Sequence, residues 1–267
     1  MASQAVTAPF IFGPHFSLLR GLGLLLALGL GRPVFGQSAA PPARPDSTLV
    51  AAATHSLAQH YAAGLGYESG LYNGPLYTDY VRLGTQGHRF FGAGAPQPTS
   101  LIYAGQSYEG VPLRYDLIRD QLVLTAPTGN QEMTLVSELV SGFAFDDHVF
   151  TRVVDLSANS PVRTGFYEVL VAGPVRLLAA HHKEFQKRSS AGRVESEITA
   201  SDAYYVEKNH QYYAVGKAGT LLELFPEHKA ALRQYARTNH LSFRSDARAQ
   251  ALAALVRYEA TLASAGR

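Results

Sequence analysis

From Gly64 to Val215 the apolar positions fall in short runs rich in Val, Leu, Phe and Tyr. Gly, Pro, Asn or Asp breaks these runs roughly every 8 to 12 residues, the punctuation of an antiparallel sheet. The pattern predicts strands at 88–91, 100–104, 111–117, 121–125, 133–137, 140–146, 149–155, 165–171 and 175–185, with a hairpin over 204–215. Alternation puts Leu113, Tyr115 and Leu117 on one face of their strand and Arg114 and Asp116 on the other. Phe166, Glu168 and Leu170 oppose Tyr167, Val169 and Val171, which predicts burial on most of one side only. Ala172-Gly173-Pro174 between two valines reads as a hairpin turn, with Gly173 free to take a positive φ. Lys208-Asn209-His210 likewise separates two tyrosine pairs. The economical topology is a meander of hairpins, arranged as an open sheet, a sandwich or a partial barrel.

The period lengthens at both ends of this region. After Asp46 or Ser47, either a good N-cap, Leu49, Ala53, Leu57 and Tyr61 recur at helical spacing until Gly64, predicting an N-terminal helix over about 47–63. At the other end, Thr220 with Glu223 reads as a capping box. Pro226 suits a first turn, and 226–237 brings Leu232, Tyr235 and Ala236 to one side. A last helix begins at Ser245 or Asp246 and carries Leu252, Leu255, Val256, Tyr258 and Leu262. Two to three helices thus fill about 219–263, and the expected class is α+β. No period of 20 to 50 residues repeats, so a solenoid or propeller is not indicated.

Upstream, Arg20 precedes an apolar run, Gly21 to Gly31, followed by Arg32-Pro33-Val34-Phe35-Gly36-Gln37. This is the layout of a secretory signal peptide over 1–36, cleaved between Gly36 and Gln37. The run is too short for a membrane span, which needs roughly 20 apolar residues. Residues 37–46, rich in Ala and Pro, read as a solvated tether, and 47–267 as a single β-rich domain. The whole chain carries 23 Lys+Arg and 21 Asp+Glu, but two of the cations, Arg20 and Arg32, lie in the leader. The processed chain is therefore neutral, which argues against nucleic acid as a partner. There is no Cys, so disulfides, thiolate metal sites and a lipid-modified cysteine are all excluded.

Candidate chemistry is sparse. Asp146-Asp147-His148 combines carboxylates with an imidazole, as a metal or acid/base site would, yet it also fits a polar turn between two apolar strands. Asp116 joins these three as a candidate catalytic residue. His181 and His182 are adjacent in a strand, so their rings diverge, and His55 and His60 are spaced for neither one helix face nor a shared ligand. All four read as surface or boundary residues. No Gly-x-Ser-x-Gly elbow or phosphate loop occurs, and Gly92-Ala93-Gly94-Ala95-Pro96 reads as a flexible loop. No cofactor is expected. Tyrosines are abundant, 15 in all; of these Tyr72, Tyr77, Tyr80, Tyr103 and Tyr108 read either as a contact surface or as ordinary strand residues at a sheet rim.

The stretches LYNGPLYTDY, GHRFF, SLIYAGQSYEGVPLRYDLIRDQLVL, GFYEVLVAGPVRLLAAHHKEF and TLLELFPEHKAALRQYARTNHLSF resemble a group of exported bacterial envelope proteins, over roughly residues 70–262. The resemblance implies a periplasmic or outer-envelope location, with an extracellular one open, and assigns no activity and no site residue. Export, neutrality and the lack of a reactive constellation favour a non-catalytic binding or assembly module whose partner is another envelope protein. The alternatives are a carrier of a lipid or other apolar ligand, and a hydrolase using carboxylate and histidine groups.

Overall fold

A computed structural model describes residues 70–126, 131–155, 157, 159–190, 193–244 and 247–265. The leader, the Gly36/Gln37 junction, the tether and the helix expected over 47–63 lie outside them. All the described residues belong to one compact unit, Ser47–Arg267.

Ten strands form one antiparallel sheet: β1 (Gln97–Tyr103), β2 (Gln106–Asp116), β3 (Gln121–Thr125), β4 (Glu132–Thr134), β5 (Val140–Phe145), β6 (His148–Val153), β7 (Gly165–Val171), β8 (Val175–Ser190), β9 (Arg193–Lys208) and β10 (Gln211–Ala214). Their order is β10-β9-β8-β7-β6-β5-β1-β2-β3-β4, an open sheet built of two meanders that meet where β5 lies beside β1. The expected single meander is therefore interrupted once. After β4 the chain does not turn back on its neighbour but crosses the ends of three strands. Leu135 N donates to Leu122 O at 2.9 Å and Ala104 N to Leu139 O at 2.8 Å, so the crossing segment finds partners on β3 and on the β1–β2 turn. Leu135 and Val140 are buried by that route, and burial is what drives the crossing.

The turns follow from local chemistry. Phe145 pairs with His148 across Asp146-Asp147, with Asp146 at φ 48°. Gly173 takes φ 138° between β7 and β8, as its lack of a Cβ allows. Asn209 and His210 both have positive φ, 53° and 59°, between β9 and β10, the geometry whose twist matches paired strands. The expected strand at 88–91 is reduced to a short pairing with β2: Phe91 N donates to Tyr115 O and Leu117 N to Arg89 O.

One face of the sheet carries two cores. Leu101, Tyr103, Leu113, Tyr115, Phe143, Phe145, Phe150 and Phe166 form the first, with Phe143 stacked on Phe150 at 4.7 Å between ring centres. The second unites Leu177, Ala179, Tyr204 and Val206 of β8 and β9 with three helices, α1 (Ala218–Glu223), α2 (Lys229–Thr238) and α3 (Arg248–Ala265). The helices match the expected positions, but the capping box does not form. Lys217 is the N-cap of α1 without a side-chain bond, and Thr220 Oγ1 donates back to Lys217 O. No described helix is long and apolar enough to cross a membrane.

β7 is buried on both sides rather than mostly one, because Val162, from the segment after β6, packs with Val153, Tyr167 and Leu178 on its other face. Tyr167 Oη donates to Arg163 O at 2.9 Å and pins that segment down. β8 pairs with β7 only as far as Ala179, whereas its ladder with β9 continues to Ser190 and Arg193. Beyond β7 this long hairpin meets the β2–β3 turn, where Lys183 N donates to Leu117 O at 3.3 Å. Asp120 in the same turn accepts from Phe166 N of β7 at 3.3 Å. The sheet thus curls until the β2–β3 turn touches β7 and β8.

Candidate functional site

Between the two cores, four consecutive strands each contribute one polar side chain to the inner face. Phe150 pairs with Glu168, Glu168 with Ala179, and His181 with Asp202. The period-two alternation of strands then puts His148, two residues from Phe150, and His181, two residues from Ala179, on either side of Glu168. His148 Nδ1 lies 2.5 Å from Glu168 Oε1, and His181 Nε2 lies 2.7 Å from Glu168 Oε2. His181 Nδ1 lies 2.7 Å from Asp202 Oδ1. The ring of Phe91 covers both imidazoles, at 5.1 Å from His148 and 5.4 Å from His181 between ring centres.

The electrostatics of this row are set by mutual neutralisation. Burial alone works to make His181 neutral, but hydrogen bonds to Asp202 and Glu168, and their charges, outweigh it and push its pKa up to about 9. His181 is therefore an imidazolium at neutral pH and donates from both nitrogens. Burial likewise pushes Glu168 upward, and the bonds and charges of His181 and His148 together bring it below the ordinary carboxylate range. Asp202 is lowered chiefly by its bond to His181. An ionised Glu168 only accepts, so His148 donates through Nδ1 and keeps Nε2 for other contacts. With half of the His148 side chain exposed, that nitrogen is the one ring atom of the row left for solvent or a ligand.

A second polar cluster lies on the opposite face. Asp116 is fully buried, accepting from Tyr77 Oη at 2.6 Å, Tyr80 Oη at 2.7 Å, and the backbone N–H groups of Ile118 and Arg119. Arg89 Nε donates to Tyr77 Oη at 2.6 Å and its Nη1 to Asp79 Oδ1 at 2.9 Å. Burial, reinforced by the bond to Asp116, pushes both tyrosine hydroxyls well above their ordinary range. They stay protonated donors. This cluster clamps the segment around 77–89 to the outside of β2 and β3.

The structure separates the four catalytic candidates. Asp116 is spent on the clamp, and Asp146 and Asp147 are exposed on the β5–β6 turn. His148, at the start of β6, belongs to the inner-face row. Among the five tyrosines, Tyr77, Tyr103 and Tyr108 are buried, so they pack inward and offer no contact surface. Tyr72 and Tyr80 are half-buried, Tyr72 against the first core and Tyr80 on Asp116. His181 keeps the boundary position expected of it, half-buried, but its ring is engaged on both nitrogens in the row, while His182 is exposed as alternation requires. His55 and His60 lie outside the described residues. Glu168 and Asp202 were not singled out by motif. Their signal was an acidic side chain in phase with inward apolar positions, Phe166 for the first and Tyr204 for the second.

No group of three or more His, Asp or Glu among the described residues is arranged to hold a metal ion. Each nitrogen of His181 instead faces a carboxylate at hydrogen-bond distance. Comparison of the chain with protein-family models, curated proteins and solved structures returned no match.

Proposed function

We propose that the chain is an exported envelope protein that works as a non-catalytic binding or assembly module. The observation that carries this reading is the internal consumption of its reactive groups. Both oxygens of Glu168, both nitrogens of His181 and the carboxylate of Asp116 are taken up by neighbours within the fold. Groups so paired hold strands in register and have little capacity left for a substrate. The interlocked rings of Phe143, Phe150, Phe166 and Tyr115 occupy the inner face where a carrier would place an apolar ligand. The leader-like segment and the envelope resemblance support export. Cross-linking in intact cell envelopes followed by affinity isolation tests the proposal. It expects a defined protein partner; a protein recovered only as an uncross-linked monomer would remove its main support.

A second reading, a hydrolase, is favoured by one feature. His148 is held by a buried carboxylate through one nitrogen and exposes the other, the arrangement of a general base. If a screen of ester, amide and glycoside substrates finds turnover that is lost in His148→Gln, the catalytic reading replaces the module.

A further inference from the structure

Helix α2 carries Lys229, Arg233 and Arg237 at four-residue spacing, so the three cations line one face over about 12 Å. Arg233 and Arg237 are exposed and Lys229 is half-exposed. None of the three makes an ion pair or side-chain hydrogen bond within the described residues. Several other cations of the fold are engaged. Arg89, Arg114 and Arg176 sit on carboxylates, and Lys183 and Lys208 on backbone carbonyls.

The neutrality of the processed chain hides a division of charge. Residues 37–228 hold 14 Lys+Arg against 19 Asp+Glu, net −5, whereas 229–267 hold seven against two, net +5. From Lys229 to Arg244 there is no acidic residue. Of the two acids in the C-terminal part, Glu259 is buried beside His228 at 3.5 Å. Helix stability does not account for the stripe. Arg237 suits the last turn, but Lys229 opens the helix, where the positive end of the macrodipole disfavours a cation and no acid stands in the first turn.

We propose that this face of α2 rests on an anionic phospholipid surface. A line of point charges on a convex helix presents no groove to shape-match a peptide, whereas a charged bilayer needs only proximity. The stacked rings of Tyr235 and Tyr258, 4.1 Å between centres, are half-buried and fix α2 to α3. The row is therefore presented on a braced helix. The proposal rests on the envelope reading for access to lipid in the cell, but the binding itself is a property of the stripe.

The test is co-sedimentation of the full chain with phosphatidylcholine vesicles, with and without phosphatidylglycerol. Three cations near a charged surface should strengthen binding on the order of 100-fold. Substitution of all three, Lys229→Gln with Arg233→Gln and Arg237→Gln, should abolish that preference while leaving binding to phosphatidylcholine unchanged, so any contribution of the apolar leader cancels. Arg233→Lys with Arg237→Lys should retain the preference, which separates charge from shape. Added salt should weaken binding, as screening requires. Equal binding to both vesicles, or a Gln variant that keeps the preference, would overturn the proposal. So would retention on immobilised polyglutamate without vesicle preference, which would point to an acidic protein. Cell fractionation that placed the protein in the cytoplasm would sink the envelope reading and leave the vesicle result standing.

Discussion

Raising the pH from 6.5 to 9 should unlock the row between the two cores. His181 titrates near 6.5 in an unfolded chain and at about 9 in the folded one. A raised pKa means that the folded state holds the proton more tightly. Its contribution is complete below 6.5 and is lost as pH rises through 9. At 1.36 kcal/mol per pKa unit this amounts to about 3 kcal/mol. The size is consistent with two charge-assisted hydrogen bonds, each contributing about 1.5 to 3 kcal/mol, set against the cost of burying the ring. Glu168 and Asp202 have lowered pKa values, so their contribution has the opposite sense: present above the ordinary carboxylate range and lost as pH falls. Urea denaturation from pH 5 to 10, in parallel with His181→Gln, isolates the effect. Roughly 3 kcal/mol of wild-type stability should disappear across the alkaline limb, and most of that slope should vanish in the variant. At pH 6.5 the variant should be about 3 to 5 kcal/mol less stable, because Glu168 loses a buried partner. Equal slopes in the two proteins, or an NMR titration of the His181 ring with a midpoint near 6.5, would refute the reasoning.

Three other substitutions probe the clamp and a turn. Asp116→Asn removes the buried charge that Tyr77 and Tyr80 share and should cost about 3 kcal/mol, while Tyr77→Phe removes one of the two hydroxyl bonds and should cost about 1 to 2 kcal/mol, both read by chemical denaturation. His210→Gly should stabilise the protein by about 1 kcal/mol, since His210 holds φ 59° and only glycine takes that conformation without strain; a drop in melting temperature would contradict this.

How legible each element was depends on where its burial lies. β3 and β7 were bounded in the sequence because turn residues flank apolar runs on both sides. β9 was legible only from Tyr204 onward. Its first half, Arg193 to Ala203, runs past β7 as one arm of the long hairpin paired with β8, and over 195–203 only Ile198 is buried. Alternation carries little signal where a single position is buried. The clamp was hidden for a different reason. Asp116 stands where alternation predicts an outward side, and nothing local announces that Tyr77, Tyr80 and Arg89, at least 27 positions away, fold back to cover it. The inner-face row was half visible. Glu168 was placed in phase with Phe166, but its meeting with two histidines depends on the registers of two strand pairs.

The central claim is that this chain serves through a protein contact rather than by turning over or carrying a small molecule. Native mass spectrometry of the protein released gently from its own cell envelope tests it most directly. The account predicts recovery in a complex with a second protein, with no small molecule bound other than phospholipid that the Lys229, Arg233 and Arg237 substitutions remove. A monomer bearing a discrete glycan, metal or enclosed apolar ligand would contradict it and identify the class of ligand in the same spectrum.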